Sequence, residues 1–296
     1  MIARCAIQTA PAVCPLCGDY TSIHGLQSKC RWAALPFLRS WYNDRKGSTN
    51  FIEVAEMAKR ISFTEKYFPR LSDRIFFLCG VLMLGSEIWK QLILTFVLGQ
   101  GAYNWWYFPF QLCSIPMYVL LAYPWLCREG ARRMLLAFLM SYCLLGGVAV
   151  FADTSGLQYP LPALTVHSWS WHILLLLIGL GAGMVYFRNL KTDARNIIFS
   201  RTLSRALPLR PFFHATLLYL ACCLAAEAFN LSLDKFGLIN MFYINPGLQM
   251  QQIVFRDLVP VIGNLPAILA YIAATCAGAF LFFLIWNLAF RLFCRK

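Results

Sequence analysis

Phe108-Pro109-Phe110-Gln111-Leu112-Cys113-Ser114-Ile115-Pro116 opens an apolar run that continues to Cys127. A helix needs about 20 largely apolar residues to cross ~30 Å of hydrocarbon, and this run meets that length. Yet its first residues hold a glutamine, a cysteine and a serine between two prolines. Polar groups inside a bilayer are costly and tend to mark function. Prolines remove backbone donors and free carbonyls that then need local partners. The stretch therefore reads as a membrane span with a polar insertion near one end. Cys113 is either a nucleophile held there or one more inert buried thiol.

Working outward, five more runs of similar length appear. The six candidate spans are Ile75–Leu98, Phe108–Cys127, Met134–Ala152, Trp169–Phe187, Phe212–Asn230 and Ala267–Phe290. Of the 296 residues, 59% are hydrophobic and 13% charged, with a mean hydropathy of +0.59. That profile fits a polytopic membrane protein and excludes an ordinary soluble domain. The expected fold is all-α, a polytopic helical membrane bundle of about six transmembrane helices.

The net charge of +13 could suggest nucleic acid, but its distribution points elsewhere. The chain up to Arg74 carries eleven Lys and Arg. Gly99–Tyr107 carries none, the next connection has Arg128, Arg132 and Arg133, and Asp153–Ser168 again has none. Arg188 to Arg210 is strongly basic, Leu231–Pro266 has only Lys235 and Arg256, and the chain closes on Arg291, Arg295 and Lys296. This alternation follows the positive-inside rule and predicts both termini in the cytoplasm, with no nucleic-acid partner. Residues 1–71 lack a run long enough to span and read as a flexible, basic cytoplasmic tail. Residues 72–296 form the transmembrane domain. The start of the chain lacks the apolar core of a cleavable signal, so the first span is expected to direct insertion.

The twelve cysteines do not form a disulfide pattern. Cys79, Cys143, Cys222, Cys223 and Cys276 fall inside apolar runs and read as small buried hydrophobes. Cys14, Cys17, His24 and Cys30 have the ligand types of a zinc site, but a single Cys-x-x-Cys with irregular later spacing does not make one, and no metal is expected. Phosphate-cradling loops, nucleophile elbows and His-Glu-x-x-His motifs are missing from the sequence, so no cofactor is expected.

The topology decides which polar residues can meet. Cys113 is predicted roughly 8 Å below the outer boundary and His172 about 5 Å below it, counting 1.5 Å per residue. An imidazole beside a thiol can take its proton and return it, the minimal activated nucleophile. Such a depth suits the ester carbonyls of phospholipids. His167, five residues earlier, reads as a solvated boundary residue. Glu87 is the costliest residue of the first span; it either pairs locally with Lys90 at i+3 or lines a polar cavity. In the long fifth connection, Asn240 and Tyr243 precede Asn245-Pro246-Gly247, a strong turn signal. They either cap a loop or contact a lipid headgroup.

Several of these elements resemble one family. Ser86-Glu87-Ile88-Trp89-Lys90-Gln91 looks like its Glu-Lys-Gln helix, and Pro109-Phe110-Gln111-Leu112-Cys113-Ser114 is similar to its Pro-x-(His/Gln)-Leu-Cys-Ser signature. Ser170-Trp171-His172 resembles the histidine that opens a later helix, and Asn240-Met241-Phe242-Tyr243 its outer loop. Together, over about residues 70–290, they resemble the YwaF-like integral membrane family, whose animal relatives are cysteine-dependent phospholipid acyltransferases. The resemblance implies Cys113 as the acyl-accepting nucleophile and His172 as its base. Gln111, Ser114, Glu87, Asn240 and Tyr243 would support or bind substrate, and the partners would be membrane phospholipids and lysophospholipids. The competing expectation is a non-enzymatic small-molecule transporter or lipid-binding protein that uses Glu87 and the outer aromatic loops.

Overall fold

Hydrocarbon offers backbone groups no partners, so a chain this apolar must satisfy them within helices. The computed structural model describes residues 70–196 and 208–293. Every regular element among them is helical. Five helices are long and apolar enough to cross a membrane: Leu71–Leu98, Glu129–Ala152, Pro162–Leu190, Leu209–Phe236 and Asn264–Leu292. The protein is a multi-pass helical membrane bundle. The basic tail and the Cys14–Cys30 cluster lie outside the described residues, apart from the tail's last two residues.

In chain order the helices are α1 (Leu71–Leu92), α2 (Ile115–Ala122), α3 (Glu129–Phe138), α4 (Leu144–Ala149), α5 (Pro162–Asn196), α6 (Leu209–Leu233), α7 (Phe255–Ile262) and α8 (Asn264–Phe293). A π-helical stretch, Ile93–Leu98, extends α1, and another, Leu139–Cys143, joins α3 to α4.

The second predicted span departs from expectation. It is not one continuous helix from Phe108 to Cys127. Its apolar helix runs only from Ile115 to Trp125, about 16 Å at 1.5 Å per residue, half of a crossing. The prolines explain the break. Phe108, ahead of Pro109, takes φ −52° and ψ 130°, because a residue before proline is driven out of the helical region. Pro116 sits in the first turn of α2, where a missing N–H does no harm. Of the non-helical residues between them, Pro109 through Cys113 are half-buried and Ser114 is buried, and irregular backbone at this depth persists only where protein groups answer it.

The centre of the bundle is the α3–π–α4 span. It packs against α5, α6 and α8, and Leu136 through Met140 are fully buried, as expected for a helix that is apolar all round. Tyr142 stacks on Phe138 at 5.4 Å and on Tyr219 at 4.8 Å, and its hydroxyl donates to Thr216 at 2.9 Å. Gly183 leaves the space that the Trp286 ring fills, and the Trp286 indole donates to the Met140 carbonyl at 2.9 Å. Small residues of this kind let helix surfaces approach closely in a membrane protein.

At the basic end of the bundle, Arg132 and Asp73 form a buried ion pair. Arg132 also donates to the carbonyls of Tyr123 at 3.3 Å and Leu126 at 3.4 Å, and lies 4.2 Å from the centre of the Tyr123 ring. One guanidinium thus ties α1, the end of the α2 segment and α3 together. Charge counting marked Arg132 only as a topology signal; its burial depends on Asp73, which stands 59 residues earlier.

Candidate functional site

The site is built from the broken segment, because its loop carries the polar residues into the bundle. Phe110 N–H donates to the Phe108 carbonyl at 2.8 Å and Ser114 N–H to the Gln111 carbonyl at 2.8 Å, so the loop is two tight turns. The Tyr118 hydroxyl takes the carbonyl that Pro109 presents, at 2.8 Å. The Trp171 indole donates to the Cys113 carbonyl at 3.1 Å. These bonds answer the backbone groups that the prolines free.

Gln111 works as a clamp. Its Nε2 donates to the Asn240 carbonyl at 2.9 Å, and its Oε1 accepts from the Phe242 N–H at 2.7 Å. Asn230, at the end of α6, does the same to the residue between them. Its Oδ1 accepts from Met241 N–H at 2.6 Å and its Nδ2 donates to Met241 carbonyl at 3.3 Å. The long fifth connection is therefore folded into the bundle; Met241 and Phe242 are buried. Phe242 at φ 56° and Tyr243 at φ 57° both adopt left-handed backbone, a conformation that costs roughly 1–2 kcal/mol for a residue with a Cβ. The two amide clamps oppose that cost.

Asn240 serves the loop itself, its Oδ1 accepting from Asn245 N–H at 3.1 Å. Asn245 in turn caps the turn that Asn-Pro-Gly predicted, through Gly247 N–H at 2.9 Å. For Asn240 the structural role is the observed one. Tyr243 is different: its ring meets Trp106 at 6.3 Å, its hydroxyl makes no hydrogen bond among the described residues, and burial pushes the phenol up to about 12. It stays a neutral donor.

His172 is buried, and its Nδ1 lies 2.8 Å from the Ser168 carbonyl one turn earlier in α5. A carbonyl can only accept, so Nδ1 carries a proton, and in the neutral ring Nε2 keeps its lone pair. That is the tautomer a general base requires. The indole bond from Trp171, the preceding residue, fixes this turn of α5 to the backbone of Cys113. No hydrogen bond joins the Cys113 thiol to the His172 ring among the described residues. Cys113 itself is half-buried, and Ser114 beside it is buried.

Glu87 is 3% exposed and pairs with Lys90 at 2.8 Å, the local pairing that the i+3 spacing allowed. Gln91, the third residue of the Glu-Lys-Gln stretch, completes the group. Its Nε2 donates to Glu87 Oε1 at 2.6 Å and to the Tyr107 carbonyl at 2.6 Å, tying α1 to the start of the broken segment. Glu87 and Lys90 are within electrostatic reach of Cys113, and Lys90 also of His172. His167 is not the solvated boundary residue its position suggested. It is half-buried between Trp89 at 5.7 Å and Trp171 at 5.6 Å. These tryptophans come from different helices, so no local pattern revealed the sandwich.

The groups present are a thiol, a base-competent imidazole, a neutralised carboxylate and a phenol, without a metal-binding cluster among the described residues. The chain matches no family model, no curated protein and no solved structure.

Proposed function

We propose that the protein is an integral membrane acyltransferase that moves a fatty acyl group between glycerophospholipids through a thioester on Cys113. His172 Nε2 takes the thiol proton as the sulfur attacks the ester carbonyl. The carbon–oxygen ester bond breaks, the proton passes to the leaving alkoxide and lysophospholipid departs. A second lysophospholipid then gives its hydroxyl proton to His172 and attacks the thioester, which returns the thiol. Water as the acceptor would make the same site a lipase. Ping-pong kinetics follow from the covalent intermediate. In this reading the broken segment, irregular backbone followed by α2, completes a sixth crossing, both termini lie in the cytoplasm and the site opens to the outer leaflet.

The observation that carries it is the 3.1 Å bond from the Trp171 indole to the Cys113 carbonyl, which holds the cysteine loop against the turn bearing a base-competent His172. The decisive experiment is acyl exchange between defined phospholipids in liposomes. Cys113→Ala is expected to abolish it; full exchange by that variant would end the proposal.

A non-enzymatic reading, transport or lipid binding through Glu87, draws support from the buried Glu87–Lys90 pair, since intramembrane charges often line pathways. It requires flux or binding that survives Cys113→Ala but fails in Glu87→Gln.

A further inference from the structure

A cleft of about 230 Å³ opens between α1 and the broken segment. Leu84 and Ile88 form one wall and Pro109 and Met117 the other, while Glu87 and Gln91 supply the polar groups. Ile88 on the rim is 52% exposed, so in a membrane the cleft opens sideways to lipid. Its volume falls below the ~300–1,000 Å³ typical of sites for a whole small ligand, and suits a segment of a chain.

The polar groups have an unusual balance. Both protein donors to Glu87, Lys90 Nζ and Gln91 Nε2, converge on Oε1, which leaves Oε2 for another donor. Gln91 Oε1 is buried and makes no hydrogen bond among the described residues. Buried acceptors without donors are uncommon in native structures and call for an explanation. Lys90 already neutralises the carboxylate, so the site calls for a neutral donor and not a second cation. An apolar slot with a spare carboxylate acceptor matches a lipid that has a chain and a free hydroxyl. A fully esterified diacyl lipid brings only more acceptors to the same point.

The geometry points to this cleft as the site for a single-chain lipid with a free hydroxyl, its hydroxyl on Glu87 Oε2 and its chain between Leu84 and Met117. The inference rests on the acyl-transfer reading for its role, since such a lipid is the acyl acceptor. Pro109 on the cleft wall is four residues from Cys113, on the same loop. Binding itself needs no turnover.

The test uses Cys113→Ala protein in phosphatidylcholine nanodiscs, with a palmitoyl lysophosphatidylcholine that carries a diazirine in the first third of its chain. The label is expected on peptides containing Leu84–Ile88 and Met117. The same lipid with its glycerol hydroxyl methylated is expected to compete about tenfold or more weakly, as for loss of a hydrogen bond to a charged acceptor. Ile88→Trp, a change at an exposed rim position, is expected to cut labelling about fivefold by occupying the slot. Labelling spread over other lipid-facing helices, equal competition by the methyl ether, or labelling indifferent to Ile88→Trp would overturn the assignment. Failure of the acyl-transfer reading appears separately, as exchange activity that survives Cys113→Ala.

Discussion

Gln111 holds Phe242 from 131 residues away, its Oε1 accepting the Phe242 N–H at 2.7 Å. With the companion bond to the Asn240 carbonyl, one side-chain amide takes the place of a strand partner for a loop that has none. The cysteine loop and the fifth connection thereby become one unit, fixed two residues before Cys113.

Gln111→Met keeps the length of the side chain and removes both bonds. The Phe242 N–H and the Asn240 carbonyl are left unpaired in the interior, at about 1–3 kcal/mol for each group. Thermal unfolding in detergent should show that loss. Limited proteolysis should cut within residues 239–250 at least several-fold faster than in the parent protein. An unchanged cleavage rate would mean that Asn230 alone holds the loop.

Trp171→Phe keeps an aromatic ring but removes the N–H that the Cys113 carbonyl accepts, together with part of the buried indole. Because a misplacement of the reacting group by an ångström can cost about a hundredfold, acyl transfer is expected to fall roughly ten- to a hundredfold, in kcat more than in KM. The melting temperature should fall modestly, because the smaller ring leaves core space unfilled, and Trp171→Tyr, which also lacks the indole N–H, should lose turnover to a similar degree. A variant with parental turnover would separate the indole bond from catalysis.

His172→Gln tests the base directly. General acid–base assistance contributes about 10²–10⁴-fold, so formation of the acyl–enzyme, read by intact-mass spectrometry after a single addition of substrate, should slow by that range. Labelling of Cys113 by a small thiol reagent should persist, since the cysteine remains in place. Undiminished acylation would assign the proton transfer to another group.

Asp73→Ala leaves the Arg132 guanidinium buried without its carboxylate. Removing one member of a buried pair costs about 3–5 kcal/mol, so this variant should be among the least stable single changes at the basic end of the bundle. Asp73→Leu combined with Arg132→Met should recover part of the loss. A double variant as unstable as the sum of its singles would show that the bonds from Arg132 to Tyr123 and Leu126 carry the effect instead.

Tyr243→Phe deletes a hydroxyl that has no protein partner among the described residues, so stability should stay within about 0.5 kcal/mol. If the phenol contacts a lipid headgroup, acyl transfer should drop about threefold or more. A silent substitution would limit Tyr243 to packing against Trp106.

The helical, membrane-spanning class was legible in the order of residues alone, since runs of about twenty apolar residues have no other use for their backbone than helices within a bilayer. The turn at Asn245-Pro246-Gly247 was legible too, and the pairing of Glu87 with Lys90 was one of two readings open at that spacing, since both depend on neighbours in the chain. Tertiary structure decided the rest. Apolar length made Phe108–Cys127 look like any other span, and only the fold supplies the distant partners, Trp171, Gln91 and the fifth connection, that allow its first half to abandon the helix. The burial of Arg132 on Asp73 and of His167 against Trp89 depended in the same way on residues brought from other helices. Hydropathy sums over neighbours in sequence, whereas a broken, polar segment is stable only through groups that neighbour it in space.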